Sequence, residues 1–534
     1  MTRRYAQLSL TTLALLTLQA LVAAADWPQW GGSNGRNHVS TEKGLPESFQ
    51  PGRKTGSTVD PATTRNVKWA TKLGRYAYGN PTIAGGKVFV GTDDDTLRGD
   101  PRLKPTKAGL IQCFQEATGK LLWRLPTPKR TKLPKGAHYG HQHLGTCSSP
   151  AVEGDRVYFM TSAAEILCLD VDGQADGNDG PFTTEGQYMV GPGKKPIGLE
   201  PTDGDIIWRF DLMDELGVVP HDVPSCSPLI LGDFLYTSTS NGVDGPHRKL
   251  VNPDAPSFIA LDKKTGKLVA IDDGRIAKGM YHCEWSPPSC GTLPDGRTLI
   301  FHGGGDGICY AFQAIEKAQD KPFTLKTVWS YDCNPPHFRL RDGKPIPYYD
   351  GDKRKKRGNK SDGTYVGPSQ IIATPVFHNA RIYVAIGQDP LHGRGKGMLH
   401  CIDASKTGDI TQTGKVWSYD AIDRSVSTVT IANGRVYAPD VAGRLHCLDA
   451  DTGKPHWVYE TKAEIWGSPL VADGRLYLGT KRQFYILADA GAQPRLLSKT
   501  SLGAPVYSSP VAANGTLYVA SERFLWAVAK TAKP

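Results

Sequence analysis

Residues 433–457 read NGRVYAPDVAGRLHCLDADTGKPHW. Asn433-Gly434 is a two-residue hairpin signal, because both turn positions take positive φ. Arg435-Val436-Tyr437 then alternates as a strand does. Leu445 to Asp449 supplies a third strand, a Thr452-Gly453 turn follows, and the last strand carries Trp457. The same grammar returns as DGRLYLGTKRQFYIL (473–487), GDRVYFMTSAAEILCLD (154–170) and NARIYVAIG (379–387) with GMLHCIDASKTG (397–408). Further copies start at Gly85, Gly232, Asp295 and Asn514, giving eight. Most open on Ser-Pro or Thr-Pro, at Pro150, Pro228, Pro287, Pro375, Pro469 and Pro510; Asn80 precedes Pro81, and Val429 is the exception. The last three openings stand 40 and 41 residues apart.

Four short antiparallel strands repeated eight times predict an all-β chain, an eight-bladed β-propeller. The eighth unit, Ser508 to Lys530, supplies three strands and then stops. Asn66-Val67-Lys68-Trp69-Ala70 is left over before the first unit, and we expect it to complete the last blade and remove its free edge. The chain then divides into a leader (1–25), an N-terminal extension (26–65) and one propeller (66–534) with long insertions at 171–204 and 333–370.

The leader has Arg3 and Arg4 before an apolar run, Leu8 to Val22, ending in Ala23-Ala24-Ala25. This is a secretory signal with cleavage expected before Asp26. No Cys follows that site, so no lipid anchor is expected, and no later segment approaches the ~18 apolar residues of a membrane helix. The expected location is periplasmic or secreted. Composition is globular, with 39% hydrophobic residues and 59 Gly among 534. The net charge of +10 is concentrated in the leader and in one stretch, Lys353 to Lys360, read as a solvated loop. Nucleic acid is not an expected partner.

The segment ATGKLLW, Ala117 to Trp123, resembles the pyrroloquinoline quinone (PQQ) repeat, and Asp26-Trp27-Pro28-Gln29-Trp30-Gly31 is similar to the starts of exported PQQ-like propellers. The resemblance implies a quinoprotein alcohol dehydrogenase-like fold. That family includes calcium- and PQQ-dependent dehydrogenases, propellers that bind no quinone, and an outer-membrane assembly scaffold. The chain departs from the dehydrogenases: none of its 10 Cys is adjacent to another, and there is no C-x-x-C-H haem motif.

Propeller topology puts the loops entering first strands, and those between second and third strands, on one face. His138, His141, His143, His221 and His282 are assigned there as candidate transition-metal ligands. His392 joins the same face. Asp306 (in GGGDG) and Asp389 (in GQDP) are candidate general bases or turn-formers. If PQQ is the cofactor, its three carboxylates call for Arg424, Lys481, Arg482 and Arg523, with Trp466 stacking beneath. Asp170, Asp172, Asp176, Asn178 and Asp179 form a Gly-rich acidic loop suited either to Ca²⁺ or to plain turns. Cys113, Cys168, Cys401 and Cys447 share a third-strand position on sheets about 10 Å apart, beyond disulfide reach. Cys147 and Cys226 start neighbouring inner strands, where a pair is an option. The expected function is an exported, monomeric ligand-binding or scaffold protein with a small molecule or an exported protein as partner. The alternative is a PQQ-dependent oxidoreductase, and a third class is a metal-binding electron-transfer protein.

Overall fold

The structure, a computed structural model, describes residues 25–247, 249–280, 282–345, 349–350, 353–354, 369–387, 396–489 and 493–530. The leader, Asp389, His392 and most of the basic stretch lie outside these residues. Eight sheets of four antiparallel strands carry the fold, and in all but the last blade these strands pair in sequence order. Blade 1 is Thr82–Ala84, Lys87–Asp93, Gly109–Gln115 and Leu121–Thr127; blade 7 is Leu470–Ala472, Arg475–Gly479, Phe484–Ala488 and Arg495–Thr500. Blades 3 and 4 each gain a short parallel fifth strand, Phe323–Thr324 and Gly408–Asp409. Among the described residues no helix is long and apolar enough to cross a membrane.

The repeated residues have repeated jobs. Every blade carries a register shift between its third and fourth strands, as at Cys113/Phe114 in blade 1 and Cys447/Leu448 in blade 6. Just before the shift the fourth-strand Trp faces the third-strand Cys, as in Cys113↔Trp123 and Cys447↔Trp457. The buried indole N–H groups then donate to carbonyls of the following blade: Trp123 to Val171, Trp208 to Lys263, Trp329 to Ala404 and Trp417 to Ala450, at 2.8–3.0 Å. Turn glycines lie flat on these indoles; a Cβ on Gly119 would meet the Trp69 ring at 2.6 Å. All ten cysteines are free thiols, Cys147 and Cys226 included, so the optional pair is not formed.

The last blade closes through the N-terminus. Val67–Lys72 pairs antiparallel with Phe524–Val528, with Trp69 opposite Ala527. Trp69 is therefore the fourth-strand tryptophan that the eighth unit lacks, and its N–H donates to the Glu116 carbonyl of blade 1 at 2.8 Å.

The extension before it forms a floor. Trp27 exchanges two backbone bonds with Ile83 of blade 1, and Pro28 O accepts from Val152 of blade 2. The Arg36 guanidinium donates to Pro228 O and Pro288 O of blades 3 and 4. Gly35 O accepts from Phe377 of blade 5, and the Asn37 side chain makes both bonds to Ile431 of blade 6. His38 and Ser40 pair with Val471 of blade 7, and the Ser40 hydroxyl reaches Ala512 of blade 8. Fourteen residues, 27–40, thus touch all eight inner strands in turn and block one end of the pore.

Candidate functional site

Against this floor, with Trp30 in its lining, the pore holds a cup of about 490 Å³. Its wall comes from the residues that open each inner strand: Asn80, Ser149, Ser227, Thr374, Thr428 and Ser509 in a lower ring, with Tyr78, Cys147, Trp285, Val426, Trp466 and Tyr507 above. The Ser and Thr of the openers have a structural task. Each backbone N–H donates to the next opener's side chain: Asn80 to Ser149, Ser149 to Ser227, Thr374 to Thr428, Thr428 to Ser468, Ser468 to Ser509, and Ser509 back to Asn80, at 2.8–3.0 Å. Buried amides are satisfied this way at the crowded axis.

One side of the cup is aromatic. Trp466 and Tyr507 stack at 4.4 Å, Tyr507 and Tyr78 at 5.6 Å, and Tyr78 and Tyr76 at 6.4 Å. Tyr78 donates to Glu522 at 3.1 Å, and burial beside that carboxylate raises the phenol far above its ordinary range. Burial also pushes the Cys147 thiol up to about 12, so it is a neutral thiol on the wall.

The opposite side holds imidazoles, and Asp222 stands among them. Its Oδ1 lies 2.5 Å from His141 Nδ1 and 3.4 Å from His138 Nε2. Its Oδ2 lies 3.8 Å from both His221 Nε2 and His282 Nε2. The His221, His247 and His282 rings pack at 4.4–4.6 Å between centroids. His143 stands 5.7 Å from the His141 ring and edge-on to Tyr76 at 5.7 Å. Backbone bonds fix the segments: Asp222 N donates to His138 O, Gly242 N to Val219 O, and Val243 N to His282 O, at 2.8–2.9 Å. Asp222 itself takes φ +60°, an uncommon conformation for a non-glycine residue. Gly242 is needed for the close approach, since a Cβ there would meet His221 Cβ at 2.6 Å. The histidines thus gather on the side of blades 2 to 4. Sequence reasoning missed Asp222 and His247; the signal for His247 was its place in the loop between the second and third strands of blade 3.

Other assigned residues fall elsewhere. Arg424 is buried, Lys481 pairs with Glu464 at 3.1 Å on the surface, and Arg523 is off the wall; among the described residues no Lys or Arg lines the cup. Trp466 does line it. Asp306 is buried and also off the wall. Tyr310 OH donates to its Oδ2 at 2.6 Å and Ile308 N to its Oδ1 at 3.0 Å, and burial lifts its carboxyl to about 8. In the acidic loop, ligand atoms of Asp170, Asp172 and Asp176 lie within 4.8 Å of one another. Arg156 already holds Asp170 at 2.7 Å and Lys87 holds Asp172 at 3.1 Å. The Asn178 side chain donates to Glu185, and the Asp179 backbone N–H donates to Asp205.

The sequence pattern described as outer membrane protein assembly factor BamB, a PQQ-repeat family, matches residues 57–180, 107–269 and 396–493, more than half of the chain. The chain belongs to this PQQ-repeat family. It is 21% identical over 465 residues to quinohemoprotein alcohol dehydrogenase ADH IIB of Pseudomonas putida, spanning 84% of this chain but 57% of that enzyme. A europium-containing methanol dehydrogenase superposes with TM-score 0.55 at 13% identity, covering 93% of this chain and 89% of its own. Quinohemoprotein alcohol dehydrogenase ADHIIG from Pseudomonas putida HK5 gives 0.54 at 12%, covering 95% and 81%. These likenesses establish the PQQ-repeat fold. Of what PQQ calls for, the cup offers a stacking surface, but among the described residues its wall has no Lys or Arg for three carboxylates and carries the acid Asp222.

Proposed function

We propose that this PQQ-repeat protein is an exported, periplasmic or secreted, binding protein that holds a small, flat organic ligand without strong negative charge in its cup. The observation that carries the reading is the Tyr78–Tyr507–Trp466 stack on the wall of a floored cavity free of Lys and Arg among the described residues. Offset aromatic faces reward planar ligands, and imidazoles opposite them supply orienting polar contacts. The Asp222 carboxylate disfavours a polyanion. Tryptophan fluorescence titrated with neutral and cationic aromatic compounds, and separately with PQQ plus Ca²⁺, tests this. We expect saturable quenching by the former, weakened roughly tenfold or more in Trp466→Ala, the scale of one lost stacking contact of about 1.4 kcal/mol. Stoichiometric PQQ binding with a quinone absorption band would overturn it in favour of a PQQ-dependent oxidoreductase.

A further inference from the structure

The imidazole side of the cup has a geometry that organic binding does not require. One ligand atom from each of His221, His247 and His282 lies within 4.8 Å of the others. His221 Nδ1 stands 2.7 Å from Val243 O, and His247 Nδ1 stands 3.0 Å from Gly245 O. A carbonyl only accepts, so both Nδ1 atoms carry the proton and both Nε2 atoms keep a lone pair. The Gln370 side-chain amide holds His282 Nδ1 at 3.2 Å. The His221 and His247 rings are thus held through a protonated Nδ1, the arrangement by which outer partners orient metal-binding histidines. The Gln370 amide serves His282 in the same way when its two ends exchange, so that its oxygen accepts from Nδ1.

Asp222 stands beside two of these rings. His141, with His138 behind it, holds Oδ1, while Oδ2 faces His221 Nε2 and His282 Nε2 at 3.8 Å each. Two donors bonded to one ion at about 2.0–2.1 Å are about 3.4 Å apart in a tetrahedron and at most about 4.2 Å apart in a line. The 3.8 Å separations lie between those limits. Three imidazoles and a carboxylate are a donor set for late first-row divalent ions rather than for Ca²⁺.

We propose that His221, His247, His282 and Asp222 bind one divalent transition-metal ion, of the zinc, cobalt or copper kind, at the edge of the cup. His141 is a positioning residue: it fixes Asp222 and leaves Oδ2 for the ion. Because Asp222 and His141 also line the cup, the ion would sit beside any ligand held there. The site does not depend on the organic-ligand reading.

The test uses the full chain stripped with chelator and dialysed against Zn²⁺ or Co²⁺. Mass spectrometry of the metal content is expected to give about one ion per chain, and Co²⁺ the visible bands of a four-coordinate site. His247→Ala, in a half-buried loop, and Asp222→Asn are expected to weaken Co²⁺ binding by roughly 100-fold or more. His141→Ala should weaken it by about 10–100-fold, as outer partners do, with the Co²⁺ bands retained. His456→Ala, on the exposed face of blade 6, should change nothing. Far-UV circular dichroism checks that each variant is folded. Binding well below one ion per chain, or equal binding in folded His247→Ala and Asp222→Asn, would overturn the proposal and leave a carboxylate neutralised by its histidines alone.

Discussion

Blades 6 to 8 and blades 2 to 4 are built from the same unit and have diverged in opposite ways. In blades 6 to 8 the belt of opener hydrogen bonds runs unbroken from Thr428 through Ser468 and Ser509 to Asn80. Their share of the cup is the short aromatic wall of Trp466 and Tyr507. In blades 2 to 4 the belt changes at Ser286-Pro287, where the Ser286 hydroxyl reaches across to Ala373 O at 2.8 Å. Longer loops there are bonded to one another rather than to the ring. The regular blades supply closure, and the irregular ones supply the titratable groups. The imidazole cluster of the cup stands where the repeat is least strict, on a scaffold that the strict blades hold shut.

The largest effect should come from removing what closes the ring. Deleting residues 26–72 takes away both the floor and the fourth strand of blade 8, exposing the edge of Phe524–Val528. We expect insoluble or oligomeric protein by size-exclusion chromatography. Trp69→Ala isolates the strand's part, with an expected loss of about 3–5 kcal/mol for a buried aromatic. A monomeric deletion with unchanged melting temperature would mean that the strict blades close without help, and the contrast between the two halves would lose its basis.

Much of this contrast was legible in the sequence, and the reasons differ by residue. The blades showed because hairpin glycines, Cys-Leu-Asp strands and tryptophans recur with a period, and the orphan Trp69 segment showed because the eighth unit lacked one. The floor did not show. Its residues bond to eight different strands through backbone groups, one guanidinium, one Asn and one Ser hydroxyl, which leaves no period to detect. At the mouth, topology assigned loops to a face but could not say where long side chains turn. Lys481 turns to Glu464 at the surface, whereas His221 is pinned inward by Val243 O. Asp222 matters through a positive-φ backbone that no spacing rule reveals.

A second, smaller effect distinguishes the floor from the mouth by pH. His38 is buried in the floor, edge-on to Trp30 at 4.8 Å, and burial, aided by the Arg36 charge, lowers it to about 3. Unfolding frees it to take a proton near the ordinary imidazole value of about 6.5. The unfolded chain then binds more protons than the folded one, so stability must fall as pH falls from about 6.5 toward 3. His302 and His400, lowered by burial to about 4, act with the same sign. Melting temperatures between pH 7 and 4.5 should therefore drop, and His38→Phe should flatten the slope without abolishing it. An identical slope in the variant would show that His38 is reached by water and that the floor opens before the ring does.

The smallest effect expected is that of calcium on the acidic loop, which lies in the irregular half but away from the cup. Arg156 and Lys87 already neutralise Asp170 and Asp172, and an ion must displace one or both before three carboxylates can close on it. Such a site belongs at the weak end of calcium loops, with dissociation constants near about 1 mM. Mass action at 1 mM Ca²⁺ then adds only about 0.4 kcal/mol, a rise of about one degree or less for a domain of this size. Asp176→Ala should erase even that, because Asp176 is the member of the trio that neither basic residue holds. A rise of several degrees in Ca²⁺ over chelator would show that Arg156 and Lys87 swing aside readily. The irregular half would then hold a tight hard-cation site beside its imidazole cluster, and Arg156→Ala should tighten it further.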